Sequence, residues 1–284
     1  MKKEFCCSMQ RMPPRFLKKL LHDKRAIVGI CLVAMICTIA LLAPFIAPTD
    51  PVEIHMKNKL QSPSKTNWLG TDNLGRCIAS RIIWGTRSSL LYAVIVLGMM
   101  LLISIPLGLL AGYAGGIIDT AIMRFTDICM AFPSSILALA VTGILGASVK
   151  NLIIAMACVW WSGYARLIRG IVLQIKEQDF VLAAQAAGCS KRRIVFHHVL
   201  RNALSPIIVL ATLEVGTIIL AIAGFSFIGL GAQPPAPEWG VMLSDSRQYI
   251  QTQPQLMIYP GAAIMVTVMA FNLLGEGLKD ALER

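Results

Sequence analysis

Six apolar stretches, each close to the length of a bilayer crossing, run through this chain at about 26–46, 89–110, 125–145, 151–168, 206–230 and 256–275. A helix needs about 20 residues to cross a hydrocarbon core of roughly 30 Å. A lysine or arginine at mid-bilayer costs about 2.5–3.5 kcal/mol on insertion scales, and here the cations cluster at the ends of the stretches. Only 14% of residues are charged and 56% are hydrophobic, whereas a soluble domain carries about 25% charged residues. The fold class expected is therefore an all-α polytopic membrane protein with six transmembrane helices. Asp127 and Pro133 interrupt the third stretch, and a proline there requires neighbours that satisfy the carbonyl it frees.

The net charge of +11 would suit nucleic acid, but its placement does not. The cations cluster at span ends, with no basic face interleaved with aromatics, so no nucleic-acid partner is expected. The eight cysteines show no CxxC or Cys/His spacing, so neither a metal site nor a cofactor is expected. Residues 1–25 have no apolar core behind the first lysines and read as a cytoplasmic basic segment, not a signal peptide.

Lysine and arginine placement orients the spans. With both termini inside, 18 of the 26 cations lie in the inside pieces. The reverse orientation would put the two densest basic segments outside. The N-in, C-in arrangement leaves an extracytoplasmic loop at 47–88, containing WLGTDNLGR. It leaves a second outside loop at 231–255, containing AQPPAPEWG and helical over 242–250. It also puts a long loop, 170–205, in the cytoplasm.

Within that loop, DFVLAAQAAGCSKRRIVFHHVLRNALSP (179–206) reads as a short helix, a basic turn and a second helix, with Pro206 opening the fifth span. Lys191, Arg192 and Arg193 keep it out of the bilayer. Ala183, Ala184 and Ala187 lie near one helical face, where small side chains let a partner's backbone approach. Gly188 permits the positive-φ turn that ends a helix, and Ser190 can cap the next one. Connections are usually about 4–6 residues long, so this length and order suggest a docking element. There is no GxxxxGK[ST] loop for ATP, and no HExxH, GxSxG or carboxylate pair suited to an enzyme; no catalytic residue is expected.

The segment resembles the EAA loop of ABC-importer permeases. Ala183, Ala184, Gly188 and Leu200 fit its consensus, while Leu182, His198 and Arg201 stand where that consensus has glutamate, isoleucine and proline. The string 68–90, RFTDICMAFPSSILAL (124–139), the stretch 211–243 and the ending 259–282 resemble the dipeptide/oligopeptide/nickel family, C-type subunit. The resemblance implies a type I ABC-importer permease in the cytoplasmic (inner) membrane. It also implies a second homologous permease, two cytoplasmic ABC ATPases and an extracytoplasmic binding protein as partners.

It further assigns ATPase coupling to Asp179, Phe180, Ala183, Ala184, Ala187, Gly188, Arg192 and Arg193. Binding-protein docking falls to Trp68, Gly70, Thr71, Asp72, Glu238 and Trp239. Asp127, Glu214 and Asn272, polar residues within spans, are candidates for the translocation path. The cargo expected is nickel, a chelated metal or a di- or oligopeptide, and the tail RQYIQTQP (247–254) resembles nickel-type members. A stand-alone secondary transporter is the alternative; it would show inverted repeats with paired broken helices.

Overall fold

A computed structural model describes residues 23–283, and the described residues form helices with no strand. The basic segment expected at 1–25 lies almost wholly outside them. Five helices are long and apolar enough to cross a membrane: α1 Lys24–Ile46, α2 Ile78–Ala114, α5 Val149–Lys176, α7 Lys191–Phe227 and α9 Gln255–Glu283. A sixth crossing is broken. Helices α3 (Gly116–Met130) and α4 (Ser134–Leu145) meet at 78°. Two short helices complete the order: α6 (Asp179–Ala186), between α5 and α7, and α8 (Trp239–Ser246), between α7 and α9.

The break corrects the expectation of one span at 125–145. Helix α3 already starts at Gly116, and Pro133 follows its end. Proline has no N–H and its ring clashes with the carbonyl four residues back, so the helix stops and restarts at a new angle. The hairpin is then closed by capping. The Ser148 hydroxyl accepts from the Asn151 amide at 3.2 Å, and Asn151 Nδ2 donates to the carbonyls of Leu145 (2.7 Å) and Gly146 (2.9 Å). Among the described residues this is the one bent pair.

A second correction concerns Pro206. It lies inside α7, which carries the second cytoplasmic helix and the fifth span as one rod of 37 residues. A single π-helical stretch, Ile194–Val199, interrupts its regular winding. At 1.5 Å per residue the rod is about 55 Å long, well beyond the hydrocarbon core. The apolar seam 206–230 is only its inner part.

The core is made of span faces. Val96, Met156, Ile218, Ile219 and Ile222 are fully buried where α2, α5 and α7 converge. Helices α2 and α5 approach closely because Gly108 and Gly112 lie one turn apart. A Cβ on Gly108 would sit 2.7 Å from the Ala165 carbonyl oxygen, and one on Gly112 would sit 2.7 Å from Val172 Cγ1. Small residues at such spacing let membrane helices pack backbone to backbone. Gly108→Val is expected to lower the thermal inactivation temperature of the detergent-solubilised protein, since overpacking costs about 1–3 kcal/mol. Gly98→Val on the same helix should leave it unchanged, because nothing lies within 4 Å of that Cβ position. Equal effects from both variants would refute the close-packing account.

Candidate functional site

The end of the bundle that carries α6 is built around a second apolar cluster. Val181 and Ala184 on α6 turn inward onto Ile168, Val172, Ile194, Val199 and Ile207. This i, i+3 pair anchors the short helix. The opposite face carries Asp179, Leu182, Ala183, Ala186 and Ala187 in solvent; Phe180 is half-buried, its ring 6.4 Å from that of His198. The three alanines therefore divide: Ala184 belongs to the inner face, and Ala183 and Ala187 remain available to a partner. Leu182, at the consensus glutamate position, is 49% exposed.

The helix ends in a Schellman motif. The Gly188 amide donates to the Gln185 carbonyl at 2.9 Å, and the Cys189 amide to the Ala184 carbonyl at 3.1 Å. Gly188 has φ +72°, and no atom lies within 4 Å of the Cβ it lacks. The glycine therefore serves the turn, with open space outside it. Arg192 beyond it is exposed and Arg193 half-buried. The segment thus presents a small-residue face and a basic turn, rigidly joined to α7.

The opposite end, which carries the 47–77 loop and α8, is organised by charge. Asp72 Oδ1 accepts from the amides of Leu74 and Arg76, each at 2.9 Å, closing the TDNLGR turn. Its Oδ2 accepts from Arg76 Nε at 2.6 Å, and Arg76 Nη2 reaches Asp245 Oδ2 at 2.9 Å. Arg81 lies 3.6 Å from Asp72 and 3.8 Å from Asp245, and donates to the Pro51 carbonyl at 3.2 Å and the Pro235 carbonyl at 3.3 Å. This cluster ties together both outside loops, the start of α2 and helix α8.

Glu238 caps α8, accepting from the amides of Gly240 at 2.9 Å and Val241 at 3.0 Å. Burial pushes its carboxyl above the ordinary range, and those two amides oppose the shift. Trp239 Nε1 donates to the Ile82 carbonyl at 3.2 Å, with the indole set against Gly85.

Between the two ends lie the polar span residues. Tyr164 donates its hydroxyl proton to Glu214 Oε2 at 2.7 Å. Arg166 pairs with Asp127 through Nη2. One turn on, Arg169 grips Asp119 through Nε at 2.5 Å and Nη2 at 2.6 Å. A cavity of about 480 Å³ is lined by Tyr164, Arg166, Glu214 and Thr217, together with Met130 and Ser134 at the break between α3 and α4. Asn272 is elsewhere. It lines an apolar groove on α9 beside Met265 and Glu276.

Residues 104–284 match the family described as binding-protein-dependent transport system inner membrane component. The chain belongs to that family. Residues 15–63 of the permease match the N-terminal TM domain of oligopeptide transport permease C. It is 47% identical to the dipeptide transport system permease protein of Alkalihalophilus pseudofirmus, over 94% of this chain and 88% of that one. It is 42% identical to the nickel transport system permease protein of Escherichia coli strain K12 (90% and 92% covered). With the glutathione transport system permease protein of Pectobacterium atrosepticum the identity is 41% (94% and 89% covered). The permease is thus a multi-pass inner-membrane component of an ABC importer, and membership implies ATPase and substrate-binding partners.

The geometry revises the residues expected to meet a binding protein. Gly70, Thr71, Asp72, Glu238 and Trp239 are buried within the permease, with Glu238 and Trp239 at 0% and 1% exposure. Their side chains shape the outside surface from beneath. Trp68, 56% exposed, is the one of the six with a side chain in solvent. Arg76, Arg81 and Asp245 were not singled out in the sequence, nor were Arg166 and Tyr164. An arginine four residues after an aspartate in a turn-rich string was the available signal for Arg76. Nothing local in the sequence points to Asp245, 169 residues further on.

Proposed function

We propose that the permease pairs with a second, homologous subunit and couples to two cytoplasmic ATPases through α6 and the basic turn after it. An extracytoplasmic binding protein delivers the cargo to the opposite end. Both termini lie in the cytoplasm, as the lysine and arginine count favours. The observation that carries this reading is the outward face of α6. Small side chains and the space around Gly188 lie on a short helix that packs through Val181 and Ala184 against α5 and the start of α7, so a movement imposed on α6 and its turn would pass into the membrane. Differential contact of the ATPase with this face in its open and closed states would drive alternating access. The cargo is a small peptide, nickel or a chelated metal; the relatives are named for dipeptide, nickel and glutathione transport.

The test is reconstitution of the whole importer in proteoliposomes, with ATP-dependent uptake of labelled dipeptide and of radioactive nickel compared. Absence of ATP-dependent uptake of either would sink the proposal. In the same preparation, Trp68→Ala should reduce stimulation of ATP hydrolysis by loaded binding protein severalfold while leaving thermal stability unchanged. Full stimulation in that variant would remove Trp68 from the docking surface.

A further inference from the structure

The groove between α3, α4, α5 and α7 cannot face lipid. The side chains of Arg166 and Asp127 are 43% and 52% exposed there, and charges at membrane depth face a cavity or a partner. The break at 131–133 also leaves exposed, non-helical backbone beside it. Such backbone is tolerated in a membrane only where it is covered by protein or lines water. Two independent features, one of side chains and one of main chain, thus mark the same face as turned to water or to a partner subunit and away from lipid.

The chemistry of that face is two-signed. Glu214 accepts the Tyr164 hydroxyl proton through Oε2, and among the described residues no donor reaches its other oxygen. Arg166 meets Asp127 through one nitrogen of a group with five N–H donors. Both side chains line one cavity of about 480 Å³, a size that takes small organic solutes. A bare divalent cation is poorly served, because a guanidinium repels it. Among the described residues there is also no group of three His, Cys, Asp or Glu to hold one.

Building on the importer reading, we propose that this cavity is a station on the translocation path for a zwitterionic solute. The solute's ammonium group lies toward Glu214 and its carboxylate toward Arg166. The solute class is then a small peptide or an amino-acid-like chelate, not free metal ion.

The test uses the complete importer with its binding protein in lipid nanodiscs and proteoliposomes. Thr217→Cys should react with a membrane-impermeant thiol reagent. A transported dipeptide, during ATP turnover, should slow that reaction at least threefold. Glu214→Gln and Arg166→Gln should each lower dipeptide uptake at least tenfold. The charge-swapped double variant Asp127→Arg, Arg166→Asp restores an ion pair and separates bracing from solute contact. It should assemble with its partners and still transport at least tenfold less than the wild type. Recovery of uptake in the swap would show that the pair only braces α3 on α5, and overturns the proposal. So does a Thr217→Cys that no water-soluble reagent reaches in any nucleotide state, which would mean that the partner subunit covers this face. Wild-type uptake of free nickel ion without dipeptide or chelate overturns it as well. These failures all leave ATP-dependent uptake intact, which separates them from a failure of coupling.

Discussion

Gly188→Trp is expected to reduce ATP-dependent uptake to background, at least a hundredfold, while the protein still accumulates in the membrane. Two effects need to be separated. A residue with a Cβ at φ +72° costs about 1–2 kcal/mol in the left-handed region, and every substitution except a tolerant one carries that cost. Bulk is the second effect, and among the described residues no atom lies within 4 Å of the Cβ position, so the permease itself leaves the start of a side chain unobstructed there. The ladder Gly188→Asn, Gly188→Ala, Gly188→Trp therefore isolates the partner. Asparagine tolerates this backbone and adds modest volume, so it should retain most uptake. Alanine should lose a few-fold through the turn. Tryptophan adds bulk that only an external surface can feel. Uptake, stimulated ATP hydrolysis and membrane content are measured for all three. If tryptophan and alanine behave alike, the turn geometry is all that matters and no surface docks there.

The same site shows how far the sequence could be read. Spacing and composition place the short helix, its glycine terminator and the basic turn, because these are local and the turn residues dictate them. The inward turn of Ala184 and the outward turn of Ala183 were not legible. They depend on Ile168 and Val172, which come from another span. Apolar periodicity locates the spans but not their true lengths, since α2 and α7 continue into water once polar residues find partners at their ends. The break in the third span was signalled by Pro133, but its angle is set by what α5 offers. Arg166 and Arg169 hold α3 in place through Asp127 and Asp119, pairs that lie 39 and 50 residues apart in the chain. The burial of Gly70, Thr71, Asp72, Glu238 and Trp239 was not legible for a related reason. A turn-rich polar string looks like a surface, and only the distant Asp245 and the 231–238 loop reveal it as an interior.

Two lengths in the structure bear on coupling. Helix α7 runs unbroken from the basic turn to the loop that precedes Glu238. On the proposed coupling, the basic residues at the start of α7 and the loop before the Glu238 cap are the two ends of one rod. A tilt imposed at Arg192 and Arg193 would then move the Gly231–Glu238 loop, and the buried ion cluster of Asp72, Arg76, Arg81 and Asp245 would keep the cap rigid.

Arg76→Met is accordingly expected to have the largest structural effect of any single change on the outside. It removes the pairing at 2.6 Å to Asp72 and at 2.9 Å to Asp245. Arg81, at 3.6 and 3.8 Å, is then the only cation left beside the two carboxylates. Removing one member of a buried pair costs about 3–5 kcal/mol, because the remaining charge stays desolvated and unmatched. The expected readout is a fall in the thermal inactivation temperature of the purified permease and faster proteolysis of the 47–77 loop. Asp72→Asn should cost less. An amide oxygen still accepts from Leu74 and Arg76, so the turn survives while the charge is lost. Asp72→Asn combined with Arg76→Met should cost less than the sum of the two, the mark of direct coupling between neighbours. Additive effects would show that the pair contributes no mutual energy. An unchanged inactivation temperature for Arg76→Met would show that the cap is held by packing of Trp239 on Gly85 instead. Either result would take the ion cluster out of the proposed coupling, because the rigidity of the cap would then come from that packing.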